Sequence, residues 1–326
     1  MTDAARDAVV SSRMHDGQLD IDASIVAALV AEQFPRWAAL PVRPAPGSGT
    51  VNALFRIGDD LVARLPLVVE DPDAALAALH READSAHEFA LATRVPAPTV
   101  IAIGEPGHGY PGPWCITTWI DGELGTPDAL AHSTEFARDI AALIRDLRAA
   151  PVNGRSFRGA GRGGDLRAHD EWMATCFDNS EGLLDVGALR EAWATFRRLP
   201  RRSPDVMSHT DLIPANLLVR DGRLAGVLDV GGFQPADPAL DLVAAWHLLE
   251  EPARSEVRAA LRSGIRFEGG DEAGEYDEAL EWARGAAWAF EQAMGLVWYY
   301  RGSNPAMSEL GASTLRRIMA SDVLSF

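Results

Sequence analysis

Lysine is absent from this 326-residue chain, so all 30 basic side chains are arginine. That excludes Schiff-base chemistry, pyridoxal-phosphate anchoring and the Walker A lysine. Any cation that grips phosphate must then be an arginine. Cysteine is scarce: Cys115 and Cys176 are the whole supply, too few for a disulfide scaffold or a Cys-rich zinc site. Two inert thiols in a reducing cytosol are expected. No run approaches the ~18 apolar residues of a membrane span. Residues 1–20 are polar and lack the apolar centre of a signal peptide. The expected setting is cytoplasmic, with no membrane partner. Positive charge is also short, 30 basic against 47 acidic residues and a net charge of −17. Such a surface repels phosphate backbones, and no basic face marks a nucleic-acid binder.

What is present suits a soluble globular protein, with 47% hydrophobic and 24% charged residues. The length predicts two domains or lobes. Residues 1–20 read as a frayed tail. Apolar spacing predicts a helix over 23–37. Val51–Ile57 and Leu61–Leu65 read as a hairpin around Gly58-Asp59-Asp60. A helix over 73–94 is stopped by Pro96 and Pro98. Buried strands are expected at 99–103 and 114–119. From Pro127 onward helices dominate: 130–150, 167–180, 186–198, 238–249, 253–263, 277–300 and 308–320. They are interrupted by two short strands, 217–219 and 224–228, joined at the Asp221-Gly222 turn.

One stretch carries chemistry. His209-Thr210-Asp211-Leu212-Ile213-Pro214-Ala215-Asn216 is followed by Leu228-Asp229-Val230-Gly231. Phosphoryl transfer from a nucleotide needs a carboxylate to orient and deprotonate the acceptor hydroxyl. It also needs an amide and a second carboxylate to hold Mg2+ against the phosphates. The competing reading is structural: Asp211 and Asn216 make turns, and Asp229 caps a helix.

These residues resemble the aminoglycoside phosphotransferase family, antibiotic kinases related to protein kinases. The resemblance runs from about Pro46 to the last helix. The family pattern is His-Gly-Asp-Leu-x-x-x-Asn, then Ile-Asp-Phe/Trp-Gly, then Asp-Pro-Ala-x-Asp-Leu. Here it is met by His209, Asp211, Leu212, Asn216, Asp229, Gly231 and Asp237 to Leu242, with Thr210 replacing glycine and Val230 replacing the aromatic. The resemblance implies an α+β, two-lobed protein-kinase-like fold, with an N-lobe over 21–121 and a helical C-lobe over 122–326. It implies Asp211 as the catalytic base and Asn216 and Asp229 as metal ligands. His209 would hold the catalytic loop in shape, and Asp241 would brace it. Asp237 is expected to cap the helix starting at Pro238.

In the same frame Ser48, Gly49, Thr50 and Asn52 cover the nucleotide phosphates. Arg64 stands where kinases place a lysine, and Glu82 is its orienting partner. Backbone groups of Thr118 and Ile120 grip the purine. Trp119 reads as core. Each also has a plain reading, a hairpin turn for the loop and a solvated helix face for Arg64 and Glu82. Acceptor contacts are sought in the loop Arg158–Asp165 and the acidic run Phe267–Glu281, though such a run is usually a solvated face. Trp298-Tyr299-Tyr300 reads as core rather than as a pocket wall. The implied reactants are ATP or GTP, Mg2+ and a hydroxylated small molecule, most readily an antibiotic such as an aminoglycoside or macrolide. The chain is expected to be a monomer or weak dimer. A metabolite kinase and a nucleotide-binding pseudokinase are the alternatives. No Ala-Pro-Glu segment or His-Arg-Asp arginine supports a protein kinase.

Overall fold

A computed structural model describes residues 17–45, 51–159, 161–262 and 277–325. Ser48, Gly49, Thr50 and most of the acidic run Phe267–Glu281 lie outside the described residues. The chain divides into two compact units, one of residues 1–83 with 99–119, the other of residues 84–98 with 120–326.

The first unit opens with helix α1 (Ala23–Gln33), whose first turn is capped by the Asp22 carboxylate accepting from Ser24 and Ile25 N–H. Strands β1 (Val42–Pro44), β2 (Asn52–Ile57) and β3 (Leu61–Pro66) follow, then the start of helix α2 (Pro72–Ala92), then β4 (Val100–Gly104) and β5 (Trp114–Thr118). They form an antiparallel sheet in the order β1-β2-β3-β5-β4. The β2–β3 register is the one the hairpin reading predicts, with Leu54 opposite Arg64 and Ile57 opposite Leu61. Alternate residues Phe55 and Ile57 of β2, with Ala63 and Leu65 of β3, pack against Val26, Leu29 and Val30 of α1 and Trp114 of β5.

The second unit takes the rest of α2. Val227 N–H donates to the Pro96 carbonyl at 2.8 Å, and Thr93 Oγ1 donates to Asp146 at 2.8 Å. These bonds, with Phe89 in the larger core, explain why residues 84–98 group here. The elements continue as β6 (Glu123–Leu124), α3 (Pro127–Leu130), α4 (Thr134–Ala149), α5 (Asp170–Ser180) and α6 (Val186–Phe196). The expected helix over 130–150 is interrupted, because Ser133 caps a fresh start at Thr134 by accepting from Phe136 N–H.

Next come β7 (Val206–Ser208), β8 (Leu217–Arg220), β9 (Arg223–Val227), β10 (Gln234–Ala236), α7 (Val243–Leu248), α8 (Ala253–Arg262), α9 (Glu278–Tyr299) and α10 (Pro305–Met319). The β8–β9 turn has positive φ at both Asp221 (53°) and Gly222 (74°), the backbone that a two-residue hairpin demands. Most of α9 is buried, from Leu280 to Val297, with α10, α5 and α7 around it. It forms the axis of the unit.

The expected helix over 238–249 is shorter than the sequence suggests. A 3-10 turn at Leu240–Leu242 leads into α7 at Val243. Asp237 does not act mainly as its cap. One oxygen does accept from Ala239 N–H at 3.1 Å. The other accepts from Arg284 at 2.5 and 2.9 Å and from Trp288 Nε1 at 2.9 Å, all buried. Asp237 is chiefly half of an interior ion pair that ties β10 to α9.

Candidate active site

In the first unit Arg64 lies on β3 and makes an ion pair with Glu82 on α2. Their side chains are 22% and 25% exposed. The half-buried surroundings favour a held geometry over a loose surface pair, contrary to the plain reading of two solvated groups. Cys115, opposite Arg64 on β5, has its thiol pushed up to about 11 by burial, against the lowering influence of Arg64. Thr118 N–H is already spent on the Thr99 carbonyl at 3.0 Å. Asn52 starts β2 opposite Pro66. Trp119 is half-buried, with the Arg56 guanidinium 4.0 Å above its ring, so it is not a core residue.

In the second unit the loop after β7 is built by local hydrogen bonds. Asp241 is fully buried and accepts from Ser208 Oγ at 2.9 Å and from His209 N–H at 3.2 Å. Burial pushes its carboxyl above the usual range, opposed by the bonds from Ser208 and the His209 N–H. His209 Nε2–H donates to the Leu228 carbonyl at 2.9 Å, and Nδ1 accepts from Asp211 N–H at 3.3 Å. The two bonds define a neutral imidazole with its proton on Nε2. Thr210 lies in the left-handed region at φ 70°, which explains why the family pattern has glycine there. Its Oγ1 donates to the Gly232 carbonyl at 3.2 Å, a compensation that glycine lacks.

Asp211 is the focus of this loop. Its Oδ1 accepts from Arg162 at 2.8 Å and from Gln292 Nε2 at 3.4 Å, and Oδ2 accepts from Asn216 Nδ2 at 3.3 Å. Asn216 Nδ2 also donates to the Asp211 carbonyl at 2.9 Å, so its Oδ1 is the atom left for a cation. Leu228 N–H donates to the Asn216 carbonyl at 2.8 Å, which brings Asp229 next to this turn. Asp229 is exposed, sits at φ 55°, and caps nothing through its side chain. The helix-cap reading of Asp229 therefore fails. A carboxylate and an amide oxygen are hard donors that suit Mg2+.

Three partners of Asp211 or of its surroundings escaped the sequence reading. Arg162 comes from the Gly- and Arg-rich loop already singled out there. Glu291 and Gln292 come from α9. Gln292 is pinned from behind by His247, whose Nε2 bonds its Oε1 at 2.9 Å. Burial holds the His247 imidazole down at about 4. Glu291 Oε1 pairs with His169 Nδ1 at 2.9 Å. A cavity of about 500 Å³ opens over Asp211, and Trp172, Glu291, Gln292, Tyr299, Tyr300 and Met307 are among its walls. Tyr299 is 62% exposed, so Tyr299 and Tyr300 form a pocket wall where core was expected, while half-buried Trp298 packs against the core. The positions 291, 292, 295 and 299 lie on one stripe of α9, with Gly295 at its middle. That stripe was the signal available in the sequence.

Comparison with known proteins agrees with this geometry. The profile of the phosphotransferase enzyme family matches residues 42–282. The chain belongs to the phosphotransferase enzyme family. An aminoglycoside 3'-phosphotransferase of Escherichia coli is 29% identical over 182 residues, 49% of this chain. The match spans about 60% of that relative's length. The GDP complex of aminoglycoside 2'-phosphotransferase-IIIa superposes with a TM-score of 0.64 at 18% identity, covering 92% of this chain and 99% of that one. The macrolide 2'-phosphotransferase of Brachybacterium faecium gives 0.56 at 20% identity, covering 89% and 97%. At these identities the likeness is one of fold. It is the kinase-like fold of antibiotic phosphotransferases, with an antiparallel sheet before a helical region.

Proposed function

We propose that this phosphotransferase moves the terminal phosphate of ATP or GTP onto a hydroxyl of an antibiotic, of the aminoglycoside or macrolide kind, and so confers resistance. The observation that carries the reading is Asp211, held by Arg162, Asn216 and Gln292 beneath a cavity with aromatic walls. The relatives' names supply the acceptor class, and GDP in the similar aminoglycoside phosphotransferase supports a nucleotide donor. Cytoplasmic action follows from the donor. Among the described residues no helix is long and apolar enough to cross a membrane.

Asp211 orients the acceptor hydroxyl and takes its proton as the oxygen bonds to phosphorus. Amide donors from Asn216 and Gln292 hold the proton acceptor in place for the hydroxyl. His209 and Asp241 hold the loop that presents it. Arg64, oriented by Glu82, grips the nucleotide phosphates with a planar fork in place of an ammonium. A backbone group of Thr118 reads the purine edge. Asn216 Oδ1 and the Asp229 carboxylate would hold Mg2+, which would supply positive charge against that of the phosphates. Tyr299, Tyr300 and Trp172 provide area against which a large acceptor packs.

The test is a panel of aminoglycosides and macrolides, each incubated with ATP or GTP and Mg2+ and followed by mass spectrometry. A gain of one phosphoryl group by at least one antibiotic is expected. Nucleotide binding without transfer to any of them would identify a pseudokinase instead.

A further inference from the structure

We propose that Arg162 is a movable clamp on the base. It bonds Asp211 in this structure, and passes to Glu291 when the acceptor hydroxyl takes its place. The proposal rests on the reading of Asp211 as the proton acceptor.

Two carboxylates compete for one guanidinium here. Arg162 Nη2 donates to Asp211 Oδ1 at 2.8 Å, while Nη1 stands 3.7 Å from Glu291 Oε2, too far for a hydrogen bond. Glu291 is 3% exposed, and its Oε2 is buried without any hydrogen bond. Arg162 Nε is also buried and unbonded. Unbonded buried polar atoms are disfavoured, so a better arrangement of this guanidinium lies close by. Closing the gap to a charge-assisted bond takes a shift of about 1 Å. Gly161, next in the chain, faces open space. Glu291 itself cannot follow the arginine, because His169 holds its other oxygen at 2.9 Å.

The hand-over solves a chemical conflict. A guanidinium on Asp211 Oδ1, which also accepts from Gln292, leaves that oxygen no lone pair for an acceptor hydroxyl. Once Arg162 sits on Glu291, the hydroxyl reaches Asp211. The acceptor O–P bond then forms, and the P–O bond to the leaving nucleoside diphosphate breaks with its electron pair. The hydroxyl proton passes to Asp211. Arg162 touches none of the reacting atoms in that step and is a positioning residue. Asn216 and Gln292 keep Asp211 in place after the arginine leaves.

The experiment is steady-state kinetics on the full chain with ATP and Mg2+, using kanamycin and erythromycin as acceptors. Arg162→Ala removes a competitor for Asp211 and should lower the acceptor KM by about 3-fold, the value of a half-exposed ion pair. Glu291→Gln removes the resting place of the arginine and should lower kcat/KM for the acceptor on the order of 10-fold. The nucleotide KM should stay unchanged in both. The decisive variant is the double one. Adding Arg162→Ala to Glu291→Gln should return activity to the level of Arg162→Ala alone, since no clamp remains to be parked. Losses that add, or an effect of Glu291→Gln that persists without Arg162, would overturn the clamp. If a thermal melt shows Glu291→Gln to be unfolded, Arg162→Ala decides alone, and an unchanged or raised acceptor KM refutes the proposal. A wild-type enzyme that phosphorylates neither antibiotic removes the functional reading and the clamp with it. An active wild type without the double-variant rescue removes only the clamp.

Discussion

At the scale of single residues, the proposed function gives Arg64 work that an ammonium does elsewhere. Arg64 is half-buried against Glu82, and a planar fork and a point-charge ammonium do not fill such a place alike. Arg64→Lys should therefore restore only part of what Arg64→Ala loses. The loss should appear in nucleotide KM and turnover, with little effect on the acceptor KM, in initial-rate measurements over both substrates. Full recovery with lysine would mean that charge alone suffices. Asp229 makes a different prediction, because its exposed carboxylate caps no helix among the described residues. Asp229→Ala should weaken binding of the Mg2+-nucleotide while leaving the free nucleoside nearly untouched. Calorimetry with and without Mg2+ measures both, and equal losses would remove Asp229 from the metal site.

At the scale of elements, legibility follows sequence distance. The loop from Ser208 to Asn216 is built by bonds between near neighbours, and its motif could be read directly. Arg162 and Gln292 reach Asp211 from 49 and 81 residues away, distances at which no periodicity operates. The long helices announced themselves by apolar spacing. The three-residue strands β1, β7 and β10 are too short to show alternation, and Ser133 starts a new helix inside a span that reads as one. Asp237 was misread for a related reason. Asp-Pro at a helix entry looks like a cap, whereas its partner Arg284 lies 47 residues on. Both side chains are almost fully buried, at 2% and 4% exposure. Removing one member of a buried pair strands the other, so Asp237→Ala should destabilise by about 3–5 kcal/mol in denaturant titration. A change below about 1 kcal/mol would return Asp237 to the role of an ordinary cap.

At the scale of the whole molecule, buried histidine couples stability to pH. His247 is 0% exposed, and burial holds it down at about 4 from an ordinary value of 6.5. Between these values the unfolded chain binds a proton that the folded chain refuses. Stability from this group is complete above about pH 6.5 and lost as pH falls toward 4, by about 3 kcal/mol in all. His247→Gln should flatten that part of the melting-temperature profile, and an unchanged slope would reassign the acid sensitivity to other groups. The same histidine holds Gln292, and Gln292 holds Asp211, so the core and the site share one polar chain. The claim on which the account turns is that Asp211 accepts the proton of an antibiotic hydroxyl. Asp211→Asn keeps the shape and removes the base. Phosphate transfer to the best antibiotic of the panel should fall by about 10²–10⁴-fold, while calorimetric nucleotide affinity and melting temperature stay near wild type. Near-normal transfer by this variant would contradict the account.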